Sequence, residues 1–420
     1  MPAIHTALTV RLRAATAILA PVLGAAFLLA HPDAAPKKPA VTEVRALWVR
    51  STSLTSPAAV TAMVKSAQAG RFNTVLVQVR ARGDAYFASR LEPRAAALDA
   101  QPDSFDPLAL TLQLAHARGI RVHAWIDVGL VSSAVQLPTS RAHVVNRHPE
   151  WLMVPRELAR DMALLDAKSQ LYLEKLTRWT RAQSGEVEGL YLSPIPEDAA
   201  DATVAIVADV VARYPVDGVH LDYVRYPNDE FDYSLGALQA FRADILRGLD
   251  PAARRQKEHE AGTELSAWPE AFPDRWREFR RDRLTRLVTR IRDSVKARRR
   301  DIIVSAAVPP DAAGAANARL QDWATWVRQG LLDVVCPMAY ATDRATFTAQ
   351  MTQATQMAGL RPVWAGIGAY RLSSSDTVEN IRIARSLGAT GIVLFSYDAL
   401  IALPRGFEYL AQVSNAAFSR

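Results

Sequence analysis

The chain has 420 residues, half of them hydrophobic and 22% charged, with a formal net charge of +7. Such a composition is that of a globular chain large enough for one sizeable core, and an α/β barrel routinely takes 250 or more residues as a single domain. A single cysteine, Cys336, excludes an intrachain disulfide and a cysteine metal cluster.

The first forty residues differ from the rest. Arg11 and Arg13 precede an uncharged, mostly apolar run at 14–30 that is short for a membrane span and is interrupted by Pro21 and Gly24. That pattern predicts a secretory signal over residues 1–30 rather than a permanent span, with cleavage between positions 30 and 35. No cysteine lies beside it to carry an acyl anchor, so the expected product is an exported, periplasmic or extracellular protein that is not a lipoprotein. Residues 31–42, with Pro32, Pro36 and Pro39, read as an extended tether, and 43–420 as the folded domain.

Within that domain, β-branched apolar runs alternate with stretches of helical periodicity. The predicted strands are 44–50, 74–80, 121–127, 216–223, 302–308, 334–340, 363–368 and 391–395. Helices are predicted at 58–69, 107–118, 199–213, 275–300, 320–329, 344–357, 377–387 and 407–417, and Gly70, Gly119, Gly330 and Gly388 stand where C-caps belong. Eight β-then-α units predict parallel pairing and a closed (β/α)8 TIM-type barrel. A doubly wound open sheet would place a glycine-rich phosphate loop after its first strand, whereas Ser51-Thr52-Ser53-Leu54 stands there. Two long connections, 130–193 after strand 3 and 227–274 after strand 4, lie on the side where barrels build active sites, so both are expected to wall a cleft. In the second, 235–249 reads as mixed helix and 254–264 as a charged, mobile stretch. The basic run 275–300 carries apolar residues at helical spacing and reads as an amphipathic helix with a solvated arginine face; no nucleic-acid motif accompanies it.

Strand alternation assigns side chains to faces. In strand 2, Val75, Val77 and Val79 share one face, which leaves Gln78 and Arg80 pointing inward. Strand 3 points His123, Trp125 and Asp127 inward, and strand 4 points Gly218, His220 and Asp222 inward. Charged residues at the C-terminal ends of three adjacent strands must pair or reach a wet cleft. Lying deeper, His123 and His220 read first as hydrogen-bonded core histidines. No metal-ligand spacing is present, so no metal and no cofactor are expected. Trp125, Trp151, Tyr223, Tyr226, Tyr340, Trp364, Tyr370 and Tyr397 supply aromatic rings near the strand ends, suited to stacking on sugar C–H faces but equally to core packing.

The segment Val-Asp-Gly-Val-His-Leu-Asp-Tyr-Val-Arg-Tyr-Pro at 216–227 resembles the glycosyl-hydrolase-like family 10 proteins of bacteria. Supporting segments occur in order at 44–49, 77–87, 123–127, 148–152, 336–340 and 391–400. The resemblance implies a TIM-type barrel, export or envelope attachment, and hydrolysis of glycans, with peptide-free peptidoglycan strands as the implied substrate. It places the family's acidic residue on Asp222 and polar groups after strand 2 on Arg80 and Asp84. The chain departs from the pattern at Tyr223, where many relatives carry a second Asp, and at Asp127, where many carry Asn.

Glycoside cleavage requires two carboxyl groups, one protonated near neutral pH. Asp222 is the first candidate and Asp127 the second, since the two share a face and a level on adjacent strands. A strand spacing of ~4.8 Å suits a retaining arrangement. Asp84, Glu150, Asp311 and Asp343 remain as loop candidates for the second carboxyl. Gln78, Arg80, Asp84, His123, Trp125, Arg225, Tyr226 and Tyr340 are the expected substrate contacts or tuning groups. A non-catalytic glycan-binding barrel and a hydrolase of another bond, such as a deacetylase, are the alternative readings.

Overall fold

The computed structural model of the chain describes residues 43–404 and 406–419. The expected signal and tether lie outside the described residues. The β-branched runs form β1 (Val44–Val49), β2 (Thr74–Ala81), β3 (Asp84–Ala85), β4 (Arg121–Asp127), β5 (Leu130–Ser132), β6 (Leu190–Tyr191), β7 (Gly218–Asp222), β8 (Ile303–Val308), β9 (Val334–Ala339), β10 (Trp364–Ile367) and β11 (Gly391–Leu394). Parallel pairing runs β1–β2–β4–β7–β8–β9–β10–β11 and returns from β11 to β1, closing an eight-stranded barrel. β3 extends β2 as an antiparallel hairpin, and β5 pairs with β6 in a separate small sheet.

Each barrel strand leads to a helix that packs back on the sheet, beginning with Pro57–Ala69 and Pro107–His116. Their starts follow from local chemistry. Ser56 Oγ accepts from the Ala59 amide at 3.2 Å and Asp106 Oδ1 from the Ala109 amide at 2.9 Å. Proline follows in both cases, where no amide is needed. Gly119, Gly330 and Gly388 adopt positive φ after their helices, as C-caps do, but after the first helix Arg71 takes that conformation and Gly70 does not.

The apolar residues divide into two shells. Val75, Val77, Val79, Val122, Ala124, Ile126, Val219 and Leu221 pack outward beneath the helices. Trp48, Leu76, Trp125, Cys336, Trp364 and Val393 fill the barrel interior. At ~25 cal/mol per Å2, three buried indoles of about 150–250 Å2 each contribute roughly 4–6 kcal/mol apiece before ordering costs. No helix among the described residues is long and apolar enough to cross a membrane.

The two long connections behave differently. The first, after β4, has its own core around Val131, Leu152, Tyr172 and Leu190, and its 130–139 segment walls the cleft. The second packs Tyr233, Phe241, Trp268 and Trp276 into a core of its own and contributes no residue to the cleft lining, contrary to expectation. Its charged stretch carries regular structure. Pro251–Ala261 is a helix, started by Pro251 and by Asp250, whose carboxylate accepts from the amides of Ala252 and Ala253.

Candidate active site

β4 ends on Asp127 and β7 on Asp222, and the two are register partners at the C-terminal mouth of the barrel. Both are buried, at 1% and 8% exposure. Burial, then the charge of Asp222, pushes Asp127 up from 3.8 to about 7, against the opposing pull of Gln78 and Arg80. Gln78 Nε2 donates to both oxygens of Asp127, at 3.2 and 3.0 Å. Burial raises Asp222 as well, while Arg225 is the largest influence holding it down. The Trp125 indole N–H also favours the Asp222 anion, though it does not close to full hydrogen-bond geometry. Two carboxyls this close in an apolar setting resist ionising together, so one retains its proton while the other carries charge.

The chain leaves β7 through Tyr223, whose φ of +49° lies in the left-handed region that a tyrosine rarely adopts. Such a residue costs on the order of 1–3 kcal/mol, held by its surroundings. Here the turn lets the Tyr223 amide donate to Asp222 Oδ1 at 2.7 Å. Arg225 lies over the Tyr223 ring, 4.7 Å from its centroid, and its Nη2 bonds Glu188 Oε1 at 2.9 Å. Tyr191 OH donates to the other Glu188 oxygen at 2.8 Å. Glu188 and Tyr191 come from the insertion after β4, which is thereby tied to the base of Asp222.

Arg80 does not point into the cleft. The β2–β4 register shifts between Gln78 and Arg80, so Gln78 pairs with inward-facing Trp125 but Arg80 with outward-facing Ile126. This bulge turns the arginine aside. At 1% exposure it forms a forked pair with Glu92, itself 5% exposed, with nitrogen–oxygen distances of 2.6–2.9 Å. Its Nη1 also donates to the Asp127 carbonyl oxygen. It therefore tunes and braces Asp127 and does not line the cleft.

Beyond the bulge, Arg82 and Gly83 both have positive φ and close the β2–β3 hairpin in two residues, the geometry of a type I′ turn. Asp84 follows, pushed up to about 7 by burial and then by Glu92. His143 Nε2 lies 3.8 Å from Asp84 Oδ1 and 3.0 Å from the Arg82 carbonyl oxygen.

The mouth opens into a cavity of about 830 Å3. Of the expected residues, Asp127, Asp222, Gln78, Asp84, Trp125, Arg225 and Tyr340 line it. Tyr226 and His123 do not. Tyr226 is fully buried with its hydroxyl 3.4 Å from the Arg280 carbonyl oxygen, because the chain has already turned back into the helix layer. His123 lies deep in the barrel against Trp364, with ring centroids 5.3 Å apart, and burial holds it neutral, its pKa down at about 3. Its strand partner must be Gly218, since a Cβ there would stand 2.2 Å from the His123 ring. The expected hydrogen bonds of a core histidine are absent from His123 among the described residues but present on His220, which accepts from Trp48 Nε1 and contacts Ser305 Oγ, each at 3.0 Å.

Of the loop carboxylates, Asp311 and Asp343 cap helices and Glu150 pairs with His148, leaving Asp84 in the cavity. Trp125, Tyr223 and Tyr340 are the expected aromatics that reach the lining; Trp364 and Tyr397 are core. Trp48, Tyr86 and Phe395 join them from positions that sequence reasoning did not single out as binding residues. It also missed Glu92 and Glu188, the partners of the two site arginines. Among the described residues, no group of three or more His, Cys, Asp or Glu could hold a metal ion.

The chain is 28% identical over 286 residues to the protein named glycosyl hydrolase DigH of Escherichia coli (strain K12), a match covering 64% of this chain and 54% of that protein. It is 25% identical over 288 residues to the one named glycosyl hydrolase YngK of Bacillus subtilis (strain 168), covering 64% and 46%. The chain thus spans about half the length of these curated relatives. Among solved structures, the PgaB (BpsB) glycoside hydrolase domain from Bordetella bronchiseptica superposes with a TM-score of 0.60 at 17% identity, over 89% of this chain and 99% of that one. The catalytic domain of β-amylase from Paenibacillus polymyxa gives 0.58 at 12% identity, over 90% and 100%. These two share the fold. The family model for glycosyl hydrolase-like 10 proteins matches residues 43–177 and 159–368, and the chain belongs to that family.

Proposed function

We propose that the protein is an exported glycoside hydrolase that cleaves glycosidic bonds in a cell-envelope polysaccharide, namely peptidoglycan glycan strands freed of their peptides. The observation that carries this reading is the facing pair Asp127 and Asp222, on the floor of an aromatic-lined cleft, with both carboxyls pushed up by burial. In this reading Asp127, raised to about 7, is the acid that gives its proton to the leaving glycosidic oxygen. Asp222, favoured as the anion by Arg225 and the Tyr223 amide, attacks the anomeric carbon as the glycosidic bond breaks. Water, deprotonated by Asp127, then releases the sugar from Asp222. Register partners on adjacent strands, ~4.8 Å apart, suit this retaining sequence.

The family membership and the names of the relatives support glycan hydrolysis. The cleft wall from 130–139 supports a slender, unbranched strand over one bearing peptides. Purified protein should release reducing ends from amidase-treated peptidoglycan strands and much less from intact sacculi. Asp222→Asn should lower turnover by several orders of magnitude while the protein remains folded. Binding of strands without any release by the wild-type chain would favour a glycan-binding barrel instead.

A further inference from the structure

Charge is distributed unevenly around the cleft. The two carboxyls stand on β4 and β7, and Arg225, the cleft arginine that acts on Asp222, is neutralised by Glu188. On the adjoining arc of the barrel, where β2 pairs with β4, the ends of the paired strands β1 and β2 present Arg50 and Arg82 to the same cavity. Neither guanidinium has an ion-pair or hydrogen-bond partner among the described residues, and both residues are exposed. The carboxylates that could have neutralised them are otherwise engaged. Asp398 accepts from the Arg50 amide at 2.6 Å, from Thr52 Oγ1 at 2.7 Å and from Ser53 Oγ at 2.5 Å. Glu92 is consumed by buried Arg80.

The backbones beneath the two arginines are fixed, Arg50 through that Asp398 bond and Arg82 by the two-residue turn and the His143 contact. Asp84, beside Arg82, is raised to about 7 and so cancels only part of the positive field near neutral pH. Two uncompensated cations on a rigid rim attract a negative group brought in by the substrate.

We propose that Arg50 and Arg82 form a carboxylate subsite that reads an acidic substituent of the glycan, over strands β1 and β2, while the bond over β4 and β7 is cleaved. The inference rests on the peptidoglycan reading and deepens it. The group that fits is the free lactyl carboxylate of muramic acid, which exists only where the peptide has been removed. Selectivity for bare strands then has an electrostatic origin as well as a steric one, because a peptide-bearing lactyl group is a neutral amide at that position. The other arginines near the site, Arg80 and Arg225, are already paired with Glu92 and Glu188.

The test compares peptide-free strands with the same strands whose lactyl carboxyls have been converted to methylamides, using the full chain. Wild type should favour the acidic strand about tenfold or more in kcat/KM, a preference of ~1.4 kcal/mol that weakens as salt is raised. In Arg82→Gln and Arg50→Gln the ratio should fall towards one, mainly through KM, with melting temperature unchanged because both side chains are exposed. Arg82→Glu should invert the preference. Equal rates of wild type on both strands, or an undiminished ratio in the variants, would overturn the subsite and leave the hydrolase reading standing. Preference for a uronic-acid polymer, lost in the same variants, would support the subsite and overturn the wall-glycan reading. Cleavage of no acidic glycan at all would overturn both.

Discussion

Replacing Asp127 by asparagine should stabilise the folded protein at pH 8, leave its stability nearly unchanged at pH 4, and abolish turnover at both. In the unfolded chain this carboxyl titrates near 3.8, in the folded chain near 7. Between those values the folded state binds the extra proton, so the group's contribution is complete below about pH 4 and is lost as pH rises through about 7. At ~1.36 kcal/mol for each tenfold change in the ionisation constant, the ceiling on the cost of ionising it in place is ~4 kcal/mol. Because Asp127 and Asp222 titrate as a pair, removing one leaves part of that cost on the other, and a gain of about 1–3 kcal/mol is expected. Asparagine keeps an oxygen for Gln78, so the hydrogen bond at 3.0 Å has an acceptor in the variant. Urea unfolding at pH 4, 6 and 8, with a common slope for wild type and variant, measures the difference. An equal loss of stability at all three pH values would refute the reasoning and make Asp127 a structural acceptor for Gln78.

Glu92→Gln should cost about 3–5 kcal/mol of stability by leaving Arg80 buried without its counter-charge, measured by the same unfolding experiment; a loss under 1 kcal/mol would mean the site relaxes around water. Glu188 raises Asp222, so Glu188→Gln should move the acid limb of kcat/KM to lower pH, and a shift towards higher pH would contradict the assignment of Asp222 as the group that acts ionised. If the 14–30 run is an export signal, the mature protein should begin between His31 and Pro36 and fractionate outside the cytoplasm. Cytosolic full-length protein beginning at Met1 or Pro2 would count against export.

The barrel was legible because its signals are local. The β-branched runs predict every barrel strand to within two residues at either end, as for 216–223 against Gly218–Asp222. The valines of β2 predict the helix-facing side because a parallel barrel strand must be apolar on that side. The small strands β3, β5 and β6 were not legible, since two or three residues carry no period, and they are held by tertiary pairing. The helix Pro251–Ala261 was missed because it is charged nearly all round, which apolar periodicity cannot detect. Its Asp250-Pro251 start was nevertheless the available signal.

The site divides along the same line. Asp127 and Asp222 end regular strands, so alternation alone carries them to the mouth. Arg80 obeys the same alternation on paper, but one extra residue in β2 moves it to the other face. A bulge has no composition to announce it. What the sequence did contain was a consequence: an arginine turned into the helix layer needs a carboxylate within reach, and Glu92 follows twelve residues later, just beyond the Arg82-Gly83 turn. With Arg80 withdrawn, the next arginine along the hairpin, Arg82, lines the cleft with no side-chain partner among the described residues. The bulge thus does two things at once. It converts one arginine into a buried brace for Asp127, and it leaves its neighbour at the cleft for the proposed carboxylate subsite.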